Sequence, residues 1–430
     1  MKKLKEILFK VNIDSVYGDT EINVSKITFD SREVENNALF VALSGHNYDG
    51  HDYISQSVKS GASVVICEKL PNNFKESNIV FICVKCSKTA LSIIASNFFD
   101  NPSSKIDLIG VTGTNGKTTI SSLLNNLFNE LQVKSGLIST INIKYQEYIE
   151  NSNNTTPDPI TINFHLSEMI KRKIKVCFIE VSSHGIFQKR VQGIKFKGMV
   201  FTNLTHDHID YHKTFKDYRD TKKIVFDSLG KNSFALINKD DRNAEYMIQN
   251  TKANIYTYSL KSKSNFSCRI IEQQLDGMLL SIDNSEIWAK LIGKFNASNI
   301  LAIYSVGRIY NLDKINLFDQ FIHRQTTAQT VRYTTKELLD LEIKINQANK
   351  LINDLEIDFY LILKKRILEE KKNIFQMSHF IAQLDIANMT ADQKLFNNYN
   401  IPKIIDGRKL FIKNGRHPVV EETLPLVSNV

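Results

Sequence analysis

The chain has 430 residues, enough for two to four domains with cores of their own. Its 42% hydrophobic and 23% charged residues read as ordinary soluble globular protein. The N-terminus, MKKLKEILFKVNID, lacks the apolar stretch of a signal peptide and nothing further on approaches a membrane span, so a cytoplasmic protein without membrane contact is expected. The net charge of +9 fits a phosphate-rich partner, a nucleotide or a nucleic acid, or else a general richness in Lys, Asn and Ile.

Residues 1 to about 100 mix short apolar runs (ALFVAL, ASVVICE, NIVFICV) with helical stretches, the pattern of a small α/β unit. Cys83 and Cys86 form a lone CxxC; a zinc site would need a second pair at ligand spacing, so free thiols are expected. From Ser103 to about Arg308, strand-like runs (IDLIGVTG, KVCFIEV, KGMVFTNL, SFALINKD) alternate with amphipathic segments, which predicts βαβ units around a mostly parallel sheet. In the helix expected over 119–132, Leu123, Leu124, Leu127 and Leu131 fall on one face. No glycine or proline then occurs between Gly307 and Pro402, and apolar residues recur at helical spacing over 336–385, which predicts one very long helix or a helical hairpin.

Three segments carry chemistry. GVTGTNGKTT (110–119) fails the strict Walker spacing, because Val111 stands where the first glycine belongs. It keeps the physical essentials: a strand, a glycine-bearing turn (Gly113, Thr114, Asn115, Gly116) and a helix starting by Lys117, Thr118 and Thr119, so that backbone N–H groups point at one anion. Lys117 suits the β/γ phosphates, and the Thr118 hydroxyl suits Mg²⁺. TNLTHDHIDYH (202–212) gathers His206, Asp207, His208, Asp210 and His212, which read alone suggests a zinc or manganese hydrolase or a solvated polar loop. Glu180 closes a third apolar strand, and ligands in open α/β sheets sit at such strand ends. All three segments can converge on one crevice.

GVTGTNGKTT, NTTPDP (154–159), EVSSHG (180–185), QKRV (188–191), FTNLTHDHIDYH and the asparagines of GKFNASN, in this order, resemble the Mur ligase family and within it the MurE group. TFDSREVENNALFVALSGHNYDGHDYI (28–54) resembles that family's UDP-binding domain, so the resemblance spans about residues 20–310. It implies a UDP-binding domain over 1–102 and an ATP-binding domain over 103–312. It also implies an ATP- and Mg²⁺-dependent ligase that adds diaminopimelate or lysine to UDP-N-acetylmuramoyl-L-Ala-D-Glu through an acyl phosphate, in peptidoglycan synthesis. On the resemblance, Ser31 and Arg32 meet the uridine end, and Asn154, Thr155, Thr156, Ser182, Gln188 and Arg190 hold the muramoyl-dipeptide. Thr118, Glu180 and His208 hold Mg²⁺, Lys222 is carbamylated to serve the same metal, with Lys223 a neighbouring alternative, and Asp240 and Asn296 lie near the adenosine.

FIHRQTTAQTVRYTTKELLDLE (321–342) and IKNGRHPVVEE (412–422) resemble instead the core and lever helices of the MutS mismatch-repair family, over 319–430. That implies an all-α segment and, as a different class of function, weak salt-dependent nucleic-acid contact. The expected chain is thus two thirds of a MurE-like ligase joined to an interior MutS-like piece. Ligation is expected to be weak, because no counterpart of the family's amino-acid-selecting third domain is seen.

Overall fold

The structure, a computed structural model, describes residues 1–45, 49–71, 79–205, 212, 214–274, 277–283, 285–291, 293–312, 336–397, 399–415 and 417, with the backbone alone over 336–350. The chain divides into two compact units, Met1–Thr327 and Ala328–Val430.

The first unit opens with a five-stranded sheet: β1 (Ile13–Tyr17), β2 (Lys26–Thr28), β3 (Ala38–Val41), β4 (Ala62–Cys67) and β5 (Val80–Val84), in the order β1-β5-β4-β3-β2. The apolar runs ALFV, ASVVIC and VFICV become its three central strands, which lie parallel and are buried along most of their length. Continuous Val/Ile runs suit strands covered on both faces. Cys67 and Cys83 face each other across β4 and β5, and all five cysteines are free thiols. Burial and the neighbouring Cys83 push the Cys67 thiol up to about 12.

Helix α1 (Ser87–Phe98) leads out of this sheet and packs on α3 (Pro159–Lys171) of the part that follows. There, Phe99 meets Phe164 edge-on at 6.0 Å, and the Ser92 hydroxyl donates to the Lys189 carbonyl at 2.5 Å. The Asp158 carboxylate caps α3, accepting from the Ile160 and Thr161 amides, and Pro159 occupies the first helical position where its missing N–H costs nothing.

The larger sheet has eleven strands: β6 (Asp107–Thr112), β7 (Ser135–Ile138), β8 (Asn142–Tyr145), β9 (Tyr148–Asn151), β10 (Val176–Glu180), β11 (Gly198–Phe201), β12 (Phe234–Asn238), β13 (Asn254–Ser259), β14 (Phe266–Gln273), β15 (Met278–Ile282) and β16 (Ser285–Ala289). Their order is β9-β8-β7-β10-β6-β11-β12-β13-β14-β15-β16. From β7 to β14 every pairing is parallel, and antiparallel hairpins flank this core at each edge. Because β7, β10, β6 and β11 are parallel neighbours, their carboxyl ends lie side by side. The α/β architecture with a phosphate-loop sheet and a long-helix segment is as expected from the sequence.

Helix α2 (Lys117–Glu130) packs on one face of this sheet. Its buried line is Ile120, Leu124 and Phe128, while Leu123, Leu127 and Leu131 are only partly covered at its flank. The four leucines expected on one face all pack on this core, Leu124 within it and the other three at its flank, and Ile120 and Phe128 complete the buried line. The stripe that counted leucines missed the aromatic, and the sheet takes Phe128, whose ring meets Phe178 edge-on at 4.9 Å and Tyr310 at 5.4 Å.

The second unit contains α7 (Lys336–Glu369) and α8 (Lys371–Asn397), of 34 and 27 residues. At about 1.5 Å per residue they run roughly 50 and 40 Å, separated only by Glu370, so the long helical stretch is interrupted once. Phe359, Tyr360, Phe375, Phe380 and Phe396 are all exposed on them. Among the described residues no helix is long and apolar enough to cross a membrane.

Replacing Phe128 by alanine should leave a cavity between α2 and the sheet and cost about 3–5 kcal/mol. The expected outcome is a lower chemical-denaturation midpoint for the first unit; an unchanged midpoint would show that the packing seen for this ring carries no stability.

Candidate active site

The phosphate loop begins where β6 ends and stops where α2 begins. Gly116, at φ +90°, occupies the position before the helix, and no side chain caps it. The first amides of any helix lack intrahelical partners, so an uncapped glycine entry presents them to a ligand. Gly113 has φ +147°, and a Cβ there would stand 1.9 Å from the Thr202 hydroxyl oxygen and 2.9 Å from the Asn203 carbonyl. Glycine at 113 follows from the neighbouring TNLT segment, which grips the loop, and glycine at 116 from Asn299, whose Oδ1 would stand 2.6 Å from a Cβ there. The Thr114 amide donates to the Asn203 carbonyl (2.8 Å), the Asn115 amide to Asn203 Oδ1 (3.0 Å), and the Thr202 hydroxyl to the Asn115 carbonyl (2.6 Å). Lys117 Nζ curls back to the carbonyls of Gly113 (3.0 Å) and Thr114 (2.8 Å), which holds its charge over the loop. Thr119 is half-buried in the first turn of α2.

Beside the loop, at the end of β10, Glu180 is fully buried. Burying a carboxylate is costly unless it is hydrogen-bonded, and here three donors meet it. Thr118 Oγ1 donates to Oε2 at 2.9 Å, Thr140 Oγ1 to Oε2 at 3.0 Å, and the Thr140 amide to Oε1 at 2.9 Å. A buried carboxylate next to a hydroxyl is a set of hard oxygen donors of the kind Mg²⁺ takes, so the residues present fit that ion. The Glu180 carbonyl accepts from Thr156 Oγ1 (2.8 Å), and Thr156 accepts in turn from the Ser182 amide (2.9 Å). Arg190 Nη1 donates to the Thr156 carbonyl at 2.6 Å, and Arg190 Nε and Nη2 donate to Gln188 Oε1 at 3.0 and 2.7 Å. Thr155, Thr156, Ser182, Gln188 and Arg190 therefore form one network around Glu180, with Asn154 exposed at its edge.

Lys222 and Lys223 separate cleanly. Both lie on α5 (Phe215–Asp227) and both are buried. Lys222 Nζ crosses the face of Tyr218 at 4.8 Å and donates to the Gly113 carbonyl at 3.1 Å, while Tyr218 shares a 3.0 Å hydrogen bond with Thr114 Oγ1. Lys223 turns to the other side, pairing with Asp227 one turn on at 2.5 Å. Adjacent residues on a helix point about 100° apart, so only Lys222 reaches the loop.

The remaining residues singled out from sequence are placed less uniformly. Asn296 opens α6 (Lys294–Ile309), and its Oδ1 accepts from Asn299 Nδ2 at 3.3 Å; Asn299 in turn abuts Gly116. Asp240 has both carboxylate oxygens taken by the end of β13, from Ser259 Oγ (2.5 Å) and the Leu260 amide (2.8 Å). Ser31 and Arg32 lie in a short 3₁₀ turn of the N-terminal sheet, far along the chain from the loop. Arg32 is exposed and bonded to Asp30, and these hydrogen bonds lower the Asp30 carboxyl to about 2. His208, with His206, Asp207 and Asp210, falls outside the described residues. His212 is buried against Tyr218, His184 and Phe187. Among the described residues no three His, Cys, Asp or Glu side chains gather as a metal site. Thr140 and Asn203 were not singled out from sequence. The available signal for Thr140 was its place just past the short apolar run SGLI, the strand beside that of Glu180.

A glycine turn feeding an uncapped helix, flanked by a buried carboxylate at the carboxyl end of a parallel sheet, is the arrangement with which α/β proteins hold phosphate groups. Residues 23–99 match the Mur ligase family, catalytic domain, and residues 111–307 match the Mur ligase middle domain. Over these segments the chain is a strong match to the Mur ligase family. Among curated relatives, the UDP-N-acetylmuramoyl-L-alanyl-D-glutamate–2,6-diaminopimelate ligase of Cytophaga hutchinsonii is 45% identical over 312 residues, covering 73% of this chain and 64% of the relative. The ligase of the same name from Bacteroides fragilis is 48% identical over 302 residues, covering 70% and 62%. The chain thus spans just under two thirds of the length of these relatives. A solved structure of such a ligase shares the fold with a TM-score of 0.63 at 24% identity, over 78% of this chain and 70% of that one.

Gly113→Ala should force Thr202 and the Asn203 backbone away from the loop, at a cost of about 1–3 kcal/mol. A lowered thermal midpoint is the expected reading; a midpoint equal to the parent's would mean that the loop relaxes freely and is not gripped as seen.

Proposed function

We propose that residues 1–102 and 103–312 act as the UDP-binding and ATP-binding parts of an ATP-dependent amide-forming ligase of the Mur type, acting on UDP-N-acetylmuramoyl-L-Ala-D-Glu. The observation that carries this reading is the juxtaposition of the phosphate loop with Glu180 through the 2.9 Å contact from Thr118. The names of the curated relatives favour diaminopimelate over lysine as the incoming amino acid.

A carboxylate is a poor electrophile until one oxygen becomes a leaving group. In the proposed reaction a carboxylate oxygen of the dipeptide attacks the γ-phosphorus of ATP, the bond to the β-phosphate oxygen breaks, and ADP departs. The amine then attacks the acyl carbon, phosphate leaves, and the amine loses a proton as the amide forms. Lys117 and the first amides of α2 stabilise the transferring phosphoryl charge. Arg190, Gln188, Thr155, Thr156 and Ser182, already bonded into one wall, orient the muramoyl-dipeptide, with Asn154 at the rim. Ser31 and Arg32 serve the uridine end, and Asn296 and Asp240 the adenosine; Asp240 does so through the β13 turn it holds rather than with a free carboxylate. Thr118 and Glu180 would hold Mg²⁺, which would neutralise phosphate charge, and Lys222, whose Nζ lies 3.1 Å from the Gly113 carbonyl, would join them if carbamylated. His208 keeps its proposed role at the metal on the family resemblance alone. The family matches end at residue 307, so the MutS-like reading of 319–430, with its weak nucleic-acid contact, has no support beyond its motifs.

Calorimetric titration of the whole chain with ATP and Mg²⁺, and separately with the UDP-muramoyl-dipeptide, tests the reading. Lys117→Ala should weaken ATP binding about 10- to 100-fold through loss of a charged hydrogen-bond donor, with the UDP ligand bound as before. Failure of the folded parent chain to bind either ligand would sink the proposal.

In the same titration Lys222→Ala should weaken Mg²⁺-dependent ATP binding roughly 10-fold, whereas Lys223→Ala should leave it at the parent value. Equal losses from the two substitutions would contradict the division of labour seen on α5.

A further inference from the structure

The ligase reading leaves Thr140 unexplained. It is exposed, so core packing does not call for a threonine there. Yet both its amide and its hydroxyl are spent on Glu180, and its hydroxyl oxygen is also 3.2 Å from that of Thr155 in the substrate loop. The turn that presents it is tied down: Ser139 Oγ accepts from the Ile141 and Asn142 amides at 3.3 and 3.2 Å and donates to the Asn142 carbonyl at 2.9 Å.

A hydroxyl carries one proton, and an ionised carboxylate only accepts. The Thr140 hydroxyl is aimed at two acceptors, Thr155 Oγ1 at 3.2 Å and Glu180 Oε2 at 3.0 Å, and its single proton serves one of them at a time. A ligand that occupies the Thr155 oxygen therefore releases that proton to Glu180 Oε2, the oxygen that also faces Thr118. The Thr140 amide meanwhile pins Oε1, so the carboxylate keeps its orientation when the Thr118 hydroxyl turns its lone pairs toward a cation.

We infer that Thr140 is a positioning residue that couples the substrate loop to the metal-holding carboxylate, so that a ligand engaging Thr155 alters how strongly Glu180 and Thr118 hold Mg²⁺. This inference rests on the ligase reading. Coupling of this kind is reciprocal: substrate changes the Mg²⁺ requirement by the same factor as Mg²⁺ changes substrate affinity.

The test is the Mg²⁺ concentration that half-saturates ATP binding to the whole chain, with and without UDP-N-acetylmuramoyl-L-Ala-D-Glu. In the parent the substrate should shift this concentration several-fold. Thr140→Val should raise it about 10-fold and abolish the shift, with Mg²⁺-free ATP binding unchanged; Thr140→Ser, which keeps the hydroxyl, should restore both the parent value and the shift. A general structural role would move the Mg²⁺-free values and would not be rescued by serine. Thr155→Val removes the competing acceptor and should also remove the substrate-linked shift, which keeps the test open if Thr140→Val does not fold. A shift retained in either valine variant, in a parent that binds ATP with Mg²⁺, overturns this inference alone. A folded parent with no Mg²⁺-dependent ATP binding overturns the ligase reading and this inference together.

Discussion

The arrangement depends on one buried carboxylate. Glu180 ends a strand whose every residue is buried, and a charged group in such a place must be met by donors or it will not stay. Those donors come from two different segments, Thr118 from the first turn of the helix after the glycine loop and Thr140 with both amide and hydroxyl from the turn after the neighbouring strand, while Thr156 of a third segment donates to the same residue's carbonyl. The need to satisfy one buried acidic residue therefore draws the start of the glycine-loop helix, the turn at Thr140 and the segment at Thr156 into a single cluster.

The loop itself is held by a second constraint of the same kind. Its turn leaves polar backbone groups that must be paired, and TNLT at the end of the adjacent parallel strand pairs them through Asn203 and Thr202. Tight contact on that side is why glycine stands at 113, and contact with Asn299 is why it stands at 116. The departure from the Walker spacing thus reflects which neighbours press on the loop, while the uncapped helix entry is kept.

Much of this was legible without coordinates. The continuous Val/Ile runs marked the buried parallel strands, because sheets covered on both faces need no alternation. The loop and Glu180 were found as residues at strand ends, the place where open α/β sheets bind ligands. Periodicity did less well on α2, where it chose leucines and overlooked Phe128; the aromatic wins because its ring fills the space against Phe178 and Tyr310. Thr140 and Asn203 escaped notice since a threonine or asparagine in a turn carries no mark of the distant acceptor it serves.

By itself the sequence determined the alternation of strands and helices, the presence of a glycine turn opening a helix, the acidic residue beside it and the long helical tail, all properties of local pattern and residue chemistry. Tertiary structure alone decided which of two adjacent lysines faces the glycine loop, because that depends on a helix's rotation against its neighbours: Lys222 is turned to Gly113 and Lys223 to Asp227. It likewise decided that Asp240 is engaged by the β13 turn and that Thr140 meets Glu180 from 40 residues away. Such pairings arise from strand order and register, which bring remote segments within hydrogen-bonding distance and leave no trace in either segment read alone.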